Sequence, residues 1–429
     1  MDSARQSDSR PSLGELVRVF AWIGCVSFGG PAGQIALMQH EIVDSRRWIE
    51  QGAFLRALNL CHLLPGPEAQ QLATWIGWRL HGVRGGLAAG GLFVLPGAVV
   101  MVALSLLYAL ATGLAWFAGV FLGVKAAVLA IVAQALIRVG RRALTRWFSR
   151  AVAGLALVAL VLGAPFPVVI LGAGLLGAVA GMLRPDWLPA AHGDSGSGGK
   201  RPGLWSTLRT AATWLAVWFA PMALVGLTLG RGHVLWQVGA FFARLAVVSF
   251  GGAYAVLSYM AQAAVGQYHW LSAADMANGM GLAETTPGPL IMVTQFVGFL
   301  AGWHDAAPFS PLGAALLAAL LTTWMTFAPC FLWIFTAAPW MERLEHTPRL
   351  HAALSAITAA VLGVIAQLTL WFGLHVLFAG PGLHGPDWRA AGIALASAIL
   401  LFRLGWSIVR VLGVAAVTGW ALTLLQSPM

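Results

Sequence analysis

Residues 61–73 read CHLLPGPEAQQLA and residues 283–296 read AETTPGPLIMVTQF. Each sets a Pro-Gly-Pro triplet into the middle of a segment otherwise apolar enough to be a membrane helix. A proline inside a helix removes an amide donor and crowds the preceding turn, at a cost of roughly 3 kcal/mol. The same break made twice, far apart, asks for a purpose. The chain around the breaks has 429 residues, of which 59% are hydrophobic and 9% charged, with mean hydropathy +0.80. A soluble domain carries about 25% charged residues, so the chain reads as an all-α polytopic membrane protein.

The breaks belong to a duplication. VSFGGPAGQIALM (26–38) aligns with VSFGGAYAVLSYM (248–260), Trp48 with Trp270, and Pro65-Gly66-Pro67 with Pro287-Gly288-Pro289, all at one offset of 222 (287 − 65). Farther on the offset becomes 233, carrying AA at 126–127 onto 359–360 (359 − 126). The joint RPDWLPAAHGDSGSGGKRPG (184–203) is rich in Gly, Ser and Pro, as flexible linkers are. The expected organisation is a tail over 1–15, a first repeat over 16–183, a linker over 184–206, and a second repeat over 207–429 with one extra leading span.

A span needs about 20 apolar residues. Some thirteen segments qualify, from 16–38, 53–79 and 86–110 through 234–262 and 273–301 to 410–425. The start MDSARQSDSRPSLGE lacks an apolar core with a cleavage site, so no removable signal is expected and the amino terminus is placed in the cytoplasm. Counting from there puts RVGRRALTRWFSR and most other basic loops inside, as the positive-inside rule asks. SRRWIE (45–50) is the one basic loop that this count leaves outside. The spans at 16–38 and 234–262 then run in opposite directions, so the halves form an inverted repeat. Inverted halves with broken helices at matching positions point to a secondary transporter whose site lies at the repeat interface. The net charge of +10 is spread over these loops, which argues for topology and against nucleic acid.

Non-helical backbone at membrane depth survives only when buried in protein or lining a polar cavity. Each PGP is expected to start a new helical piece whose free amides and positive dipole end form an anion site. The SFGG copies approach those ends, so the elements around Phe28, Gly29, Gly30, Phe250, Gly251 and Gly252 join Pro65, Gly66, Pro67, Pro287, Gly288 and Pro289 as candidate substrate-binding positions. The alternative for such glycines is close helix packing. Charges inside spans are costly. Lys125 and Arg244 read either as cations for an anionic ligand or as paired or snorkelling side chains. Glu68 and Glu284 read as proton carriers or as structural caps, and Asp275 as an interfacial cap. His62, beside the first PGP, is the histidine to watch. Cys25, Cys61 and Cys330 lie in apolar segments without metal-ligand spacing, so no disulfide, metal or other cofactor is expected.

FGGP, LLPGPEAQQLATWIGWRLHGVRGGLAAGGLFVLPG and VKAAV in the first half, with SFGG and LAETTPGPLIMVTQFVGF in the second, resemble the chromate ion transporter (CHR) family in its long-chain, two-half form. The resemblance implies a bacterial inner-membrane protein that exports chromate, a sulfate analogue, and confers chromate resistance. It carries Phe28, Gly29, Gly30, Pro31, Pro65, Gly66, Pro67, Glu68, Lys125, Phe250, Gly251, Gly252, Glu284, Pro287, Gly288 and Pro289 onto this chain. Ala253 replaces the proline of the first FGGP. The expected partners are a chromate or sulfate anion and the lipid bilayer, with a homodimer left open. The competing readings are a sulfate or other oxyanion transporter, a channel, and an intramembrane enzyme acting on an anionic lipid, for which no catalytic constellation is visible.

Overall fold

Ser12 opens the first helix with a reciprocal cap: the Glu15 amide donates to its hydroxyl (3.2 Å) and its own amide donates to the Glu15 carboxylate (2.7 Å). The computed structural model describes residues 11–27, 30–184, 203–250, 253–341, 347–378 and 385–425, and among them all regular structure is helical. Phe28, Gly29, Gly251 and Gly252 lie outside the described residues, as do most of the linker and the first ten positions.

The first half comprises α1 (Leu13–Val26), α2 (Gly30–Met38) continued by a π-helical segment (Gln39–Ser45), α3 (Gln51–Leu63), α4 (Glu68–Ala111), α5 (Ala115–Ala143), α6 (Trp147–Val161) and α7 (Phe166–Leu183). After α8 (Leu204–Thr228) the series recurs. It runs through α9 (Val234–Val248), α10 (Ala253–Ala261) with a π-helical segment (Gln262–Gln267), α11 (Ala273–Thr285), a 3-10 turn (Leu290–Met292) leading into α12 (Val293–His304), α13 (Pro311–Ala337), α14 (Pro348–Leu377), α15 (Trp388–Phe402) and α16 (Ile408–Leu424). The duplication extends to single backbone bonds. Trp48 donates to the Ile42 carbonyl (2.8 Å) and Trp270 to that of Ala264 (2.9 Å), and the preceding Arg47 and His269 share φ 53°.

Corresponding helices cross antiparallel. Gly86 and Gly90 of α4 face Phe335 and Phe331 of α13, while Gly140 of α5 faces Leu362 of α14 and Gly373 of α14 faces Leu129 of α5. The repeat is therefore inverted. α4 itself folds back at His81 (φ −135°, ψ 24°) and Gly82 (φ 61°, ψ −152°), and Gly77 of its first limb lies on Gly85 of its second. His81 meets the Pro11 carbonyl (2.7 Å), so this turn and the start of α1 share one face, the amino-terminal face.

The segments broken at SFGG and PGP do not cross. In the second half, Tyr268 and Trp270, which follow α10, stack on each other and meet Phe241 of α9 edge-on, and Arg244 of α9 donates to the Tyr268 hydroxyl (3.0 Å). The chain has thus returned to the face from which α9 entered. His304, at the end of α12, meets the Trp270 carbonyl (2.9 Å), three residues before α11 begins. Both α9–α10 and α11–α12 are accordingly re-entrant hairpins with their tips inside. α1–α2 and α3 with the first limb of α4 repeat the arrangement from the amino-terminal face. The segments 16–38, 53–79, 234–262 and 273–301 are these hairpins. A hairpin changes the face of the loop inside it without changing anything downstream, so SRRWIE moves to the same face as the other basic loops.

Six helices among the described residues are long and apolar enough to cross a membrane, with α6, α15 and α16 shorter. Exposed Leu110, Leu162 and Leu227 coat the outside, as contact with lipid permits. The protein is a multi-pass membrane protein. Its halves interlock: α5 of the first packs on α15 and α16 of the second, and α14 of the second on α6 and α7 of the first. Glycines allow this approach, and a Cβ on Gly123 would fall on the Ala415 carbonyl of α16. Gly123→Ala should lower the melting temperature of the detergent-purified protein by several degrees, since overpacking costs about 1–3 kcal/mol. Gly154→Ala, where a Cβ meets nothing within 4 Å, should not. Equal melting temperatures for the two variants would remove this contact from the account.

Candidate functional site

The four hairpin tips meet at the middle of the molecule, and what joins them is backbone. Gly66 donates its amide to the Ser249 carbonyl (2.9 Å) and Gly288 donates to the Ser27 carbonyl (2.8 Å). These are the same bond seen from the two halves, PGP glycine to SFGG serine, each crossing to the opposite repeat. Gly66 (φ 117°) and Gly288 (φ 92°) hold a left-handed conformation that residues with a Cβ avoid. Proline on either side leaves glycine as the triplet's one amide donor. The glycine amides of both triplets are already used, and the amides left for a ligand are the first ones of the helices that follow.

A cavity of about 20 Å³ lies between the tips, walled by Gln34, Gly66, Glu68, Ser249, Val256 and Leu290 among others. Its wall is built from corresponding positions of the two repeats: Gln34 faces the role of Val256, Pro67 that of Pro289, and Glu68 that of Leu290. α4 begins at Glu68 with Pro67 as N-cap, and the 3-10 turn before α12 begins at Leu290 with Pro289 as N-cap. Two positive helix ends therefore point at one space. Its volume suits a water-sized group, so a tetrahedral oxyanion requires the tips to part.

The polar residues here are asymmetric. The Gln34 side-chain amide donates to the Gly288 carbonyl (2.5 Å), and its oxygen is buried without a partner among the described residues. Gln71 donates to the Pro65 carbonyl (2.7 Å). The equivalents of Gln34 and Gln71 in the second repeat are Val256 and Val293, so the first PGP and the contact to the second are braced by side chains of the first half.

Two larger cavities flank the centre. One, about 330 Å³, is lined by His62, Glu68, Val139, Ala143, Phe250, Leu354, Ile357 and Thr358, toward the amino-terminal face. The other, about 260 Å³, is lined by Lys125, Ser272, Ala277, Phe372, His375 and Val376, toward the far face. They are counterparts: Val139 and Ala143 correspond to Phe372 and Val376, and Thr358 to Lys125, all at the offset of 233 (358 − 125). Their charges differ. Lys125 forms no ion pair among the described residues and lies in the field of Asp387 and Asp275. In the near vestibule, His62 Nδ1 lies 3.2 Å from Glu68 Oε1.

The structure thus gathers Gly66, Pro67, Glu68 and Pro289 at the centre, with Pro65, Pro287 and Gly288 bonded or adjacent to it. Phe250 stands in the near vestibule and Lys125 in the far one. Gly30 starts α2 at φ 73°. Arg244 is exposed on α9, tied to Tyr268, and lines none of the three cavities. Glu284 is half-buried in the last turn of α11, at the position matching His62, and also lines none of them. Asp275 is a cap, closing a reciprocal box with Ser272 and accepting from Tyr108 (2.5 Å). The sequence reading passed over Gln34, Ser27 and Ser249. Gln34 had a signal, as a polar residue where the second repeat has valine; the serines act through carbonyls, which no side chain advertises. Gln34→Leu leaves the buried Gly288 carbonyl without this donor, a loss of about 1–3 kcal/mol. A melting temperature of the purified variant equal to the parent's would show the bond to be dispensable.

A family model described as chromate transporter matches residues 14–178 and again 236–420. The chromate transport protein of Pseudomonas aeruginosa is 30% identical over 95% of this chain and 92% of its own length. That of Cupriavidus metallidurans is 29% identical over 82% and 81%, and the probable chromate transport protein of Synechococcus elongatus is 27% identical over 95% of each. No solved structure matches the chain significantly. The two matched stretches are the two inverted repeats, PGP tips and interlocked helices included, and the chain belongs to the chromate transporter family.

Proposed function

We propose that this protein is a secondary transporter that exports chromate across the bacterial plasma membrane and so confers chromate resistance. The observation that carries the reading is the pair of corresponding vestibules, directed toward opposite faces and separated by the closed centre between the PGP tips. A site closed in the middle and approached from either side suits alternating access, in which the tips part toward one face at a time. Unchanging helix ends supply positive potential to the anion in transit. Lys125 draws it into, or releases it from, the far vestibule. The relatives named for chromate transport support chromate as the substrate. Sulfate, alike in charge and shape, is the alternative substrate, and the family argues against the lipid-enzyme reading.

Orientation follows from charge. Arg46, Arg47, Arg79, Arg84, Arg138, Arg141, Arg146 and Arg150 flank turns on the amino-terminal face, which the positive-inside rule places in the cytoplasm. With the hairpins re-entrant, SRRWIE is no longer an exception. Export then follows the field, because a dianion leaving a cell with an inside-negative potential recovers about 4.6 kcal/mol per 100 mV, close to three decades of concentration. Uptake would need at least two compensating cations.

Inverted membrane vesicles containing the protein should accumulate chromate when the interior is made positive, with sulfate competing. Movement of sulfate but not chromate would change the substrate, and movement of neither would overturn the transport reading. In right-side-out vesicles, whose bath contacts the far vestibule, Lys125→Gln should raise the half-saturating chromate concentration about tenfold, equivalent to roughly 1.4 kcal/mol of lost attraction. An unchanged value at normal expression would remove Lys125 from the anion's path.

A further inference from the structure

Glu68 belongs to the walls of both the central cavity and the near vestibule, and no other described residue joins them. Between the far vestibule and the centre no wall residue is shared. The position equivalent to Glu68 is Leu290, and the position equivalent to His62 is Glu284. The passage between centre and near vestibule is thus guarded by a carboxylate that the other passage lacks, and that carboxylate has an imidazole 3.2 Å away. The Glu68 side chain is 19% exposed and that of His62 47%, so the imidazole reaches vestibule water while the carboxylate stands behind it.

We propose that His62 and Glu68 form a proton-operated gate for the oxyanion on the amino-terminal side; the proposal rests on the transport reading above. With one proton on the pair the net charge is zero, whether Nδ1 of His62 or Oε1 of Glu68 holds it. When that proton leaves to vestibule water, Glu68 keeps an uncompensated negative charge at the edge of the central cavity and repels a divalent anion. Proton uptake from the near side therefore opens the passage, and loss closes it. The other walls of the vestibule bring no competing titratable side chain: α5 contributes Val139 and Ala143, α14 contributes Leu354, Ile357 and Thr358, and Phe250 precedes α10. Two buried thiols share the region, that of Cys61 beside Glu68 and that of Cys330 close to Cys61. The gate also separates roles within the duplication, with Lys125 serving attraction on one side and the His62–Glu68 pair serving control on the other.

The test measures chromate uptake into inverted vesicles, whose bath contacts the near vestibule, at bath pH 6 and pH 8 with a fixed interior-positive potential. Chromate itself titrates in this range, so the ratio between variant and parent at each pH carries the result. Parent uptake should rise about tenfold from pH 8 to pH 6, within the range over which histidine changes its charge. Glu68→Gln removes the charge permanently, so its rate relative to the parent should climb about tenfold between pH 6 and pH 8. His62→Gln should move the rise to lower pH. A constant ratio of Glu68→Gln to parent overturns the gate, as does a folded, monodisperse Glu68→Gln protein inactive at both pH values. If that variant does not fold, an unchanged profile for His62→Gln overturns it instead. Parent vesicles that take up no chromate at either pH overturn the transport reading itself.

Discussion

Two hydrogen bonds hold the molecule's plan together: Gly66 to the Ser249 carbonyl and Gly288 to that of Ser27. They need a glycine amide presented between two prolines, a serine carbonyl released by a break in the facing hairpin, and an opposite repeat turned over so that one tip reaches the other. Neither half can make its bond alone. Each such bond is worth only about 0.5–1.5 kcal/mol net, yet leaving either group unpaired at this depth costs more, which ties the tips in register. The breaks that look like damage to four membrane helices are the means by which four hairpins present backbone to one another.

That centre is symmetric in backbone and asymmetric in side chains, and the asymmetry is where chemistry enters. Gln34 opposes Val256, Glu68 opposes Leu290, Lys125 opposes Thr358, and His62 opposes Glu284. An inverted repeat with identical sides would treat an anion alike from both faces. These differences between corresponding positions are enough to make the two approaches electrically different while the moving parts remain alike.

Much of this was legible in the sequence. The triplets Pro65–Pro67 and Pro287–Pro289, with the serine-phenylalanine-glycine stretches 222 residues away, declared the duplication because proline and glycine act on backbone and leave a mark that hydropathy cannot hide. The hairpins were legible only as an open alternative, re-entry in place of a span at the PGP segments. A re-entrant pair such as α11–α12 has the length and apolarity of a span, and replacing two spans by two hairpins leaves every later helix in the same direction. Only the stray basic loop at Arg46 and Arg47 pointed to them. Arg244 read as a cation for the ligand or as a paired or snorkelling side chain, because the sequence placed it in an apolar segment but said nothing of the Tyr268 hydroxyl that it meets. His62 and Glu68 pair across the break, where no helical spacing predicts a contact.

The exchange of partners between halves has a consequence for biosynthesis. The face of α5 that α15 and α16 cover is made early, whereas the Ala415 of α16 that meets Gly123 follows 292 residues later (415 − 123). Through most of translation α5 sits in the bilayer with its glycine-lined side, Gly119 and Gly123, open to lipid or to a chaperone. A chain stopped anywhere before Ile408 leaves that groove unfilled, so quality control can read the arrival of α16 from a single uncovered helix face.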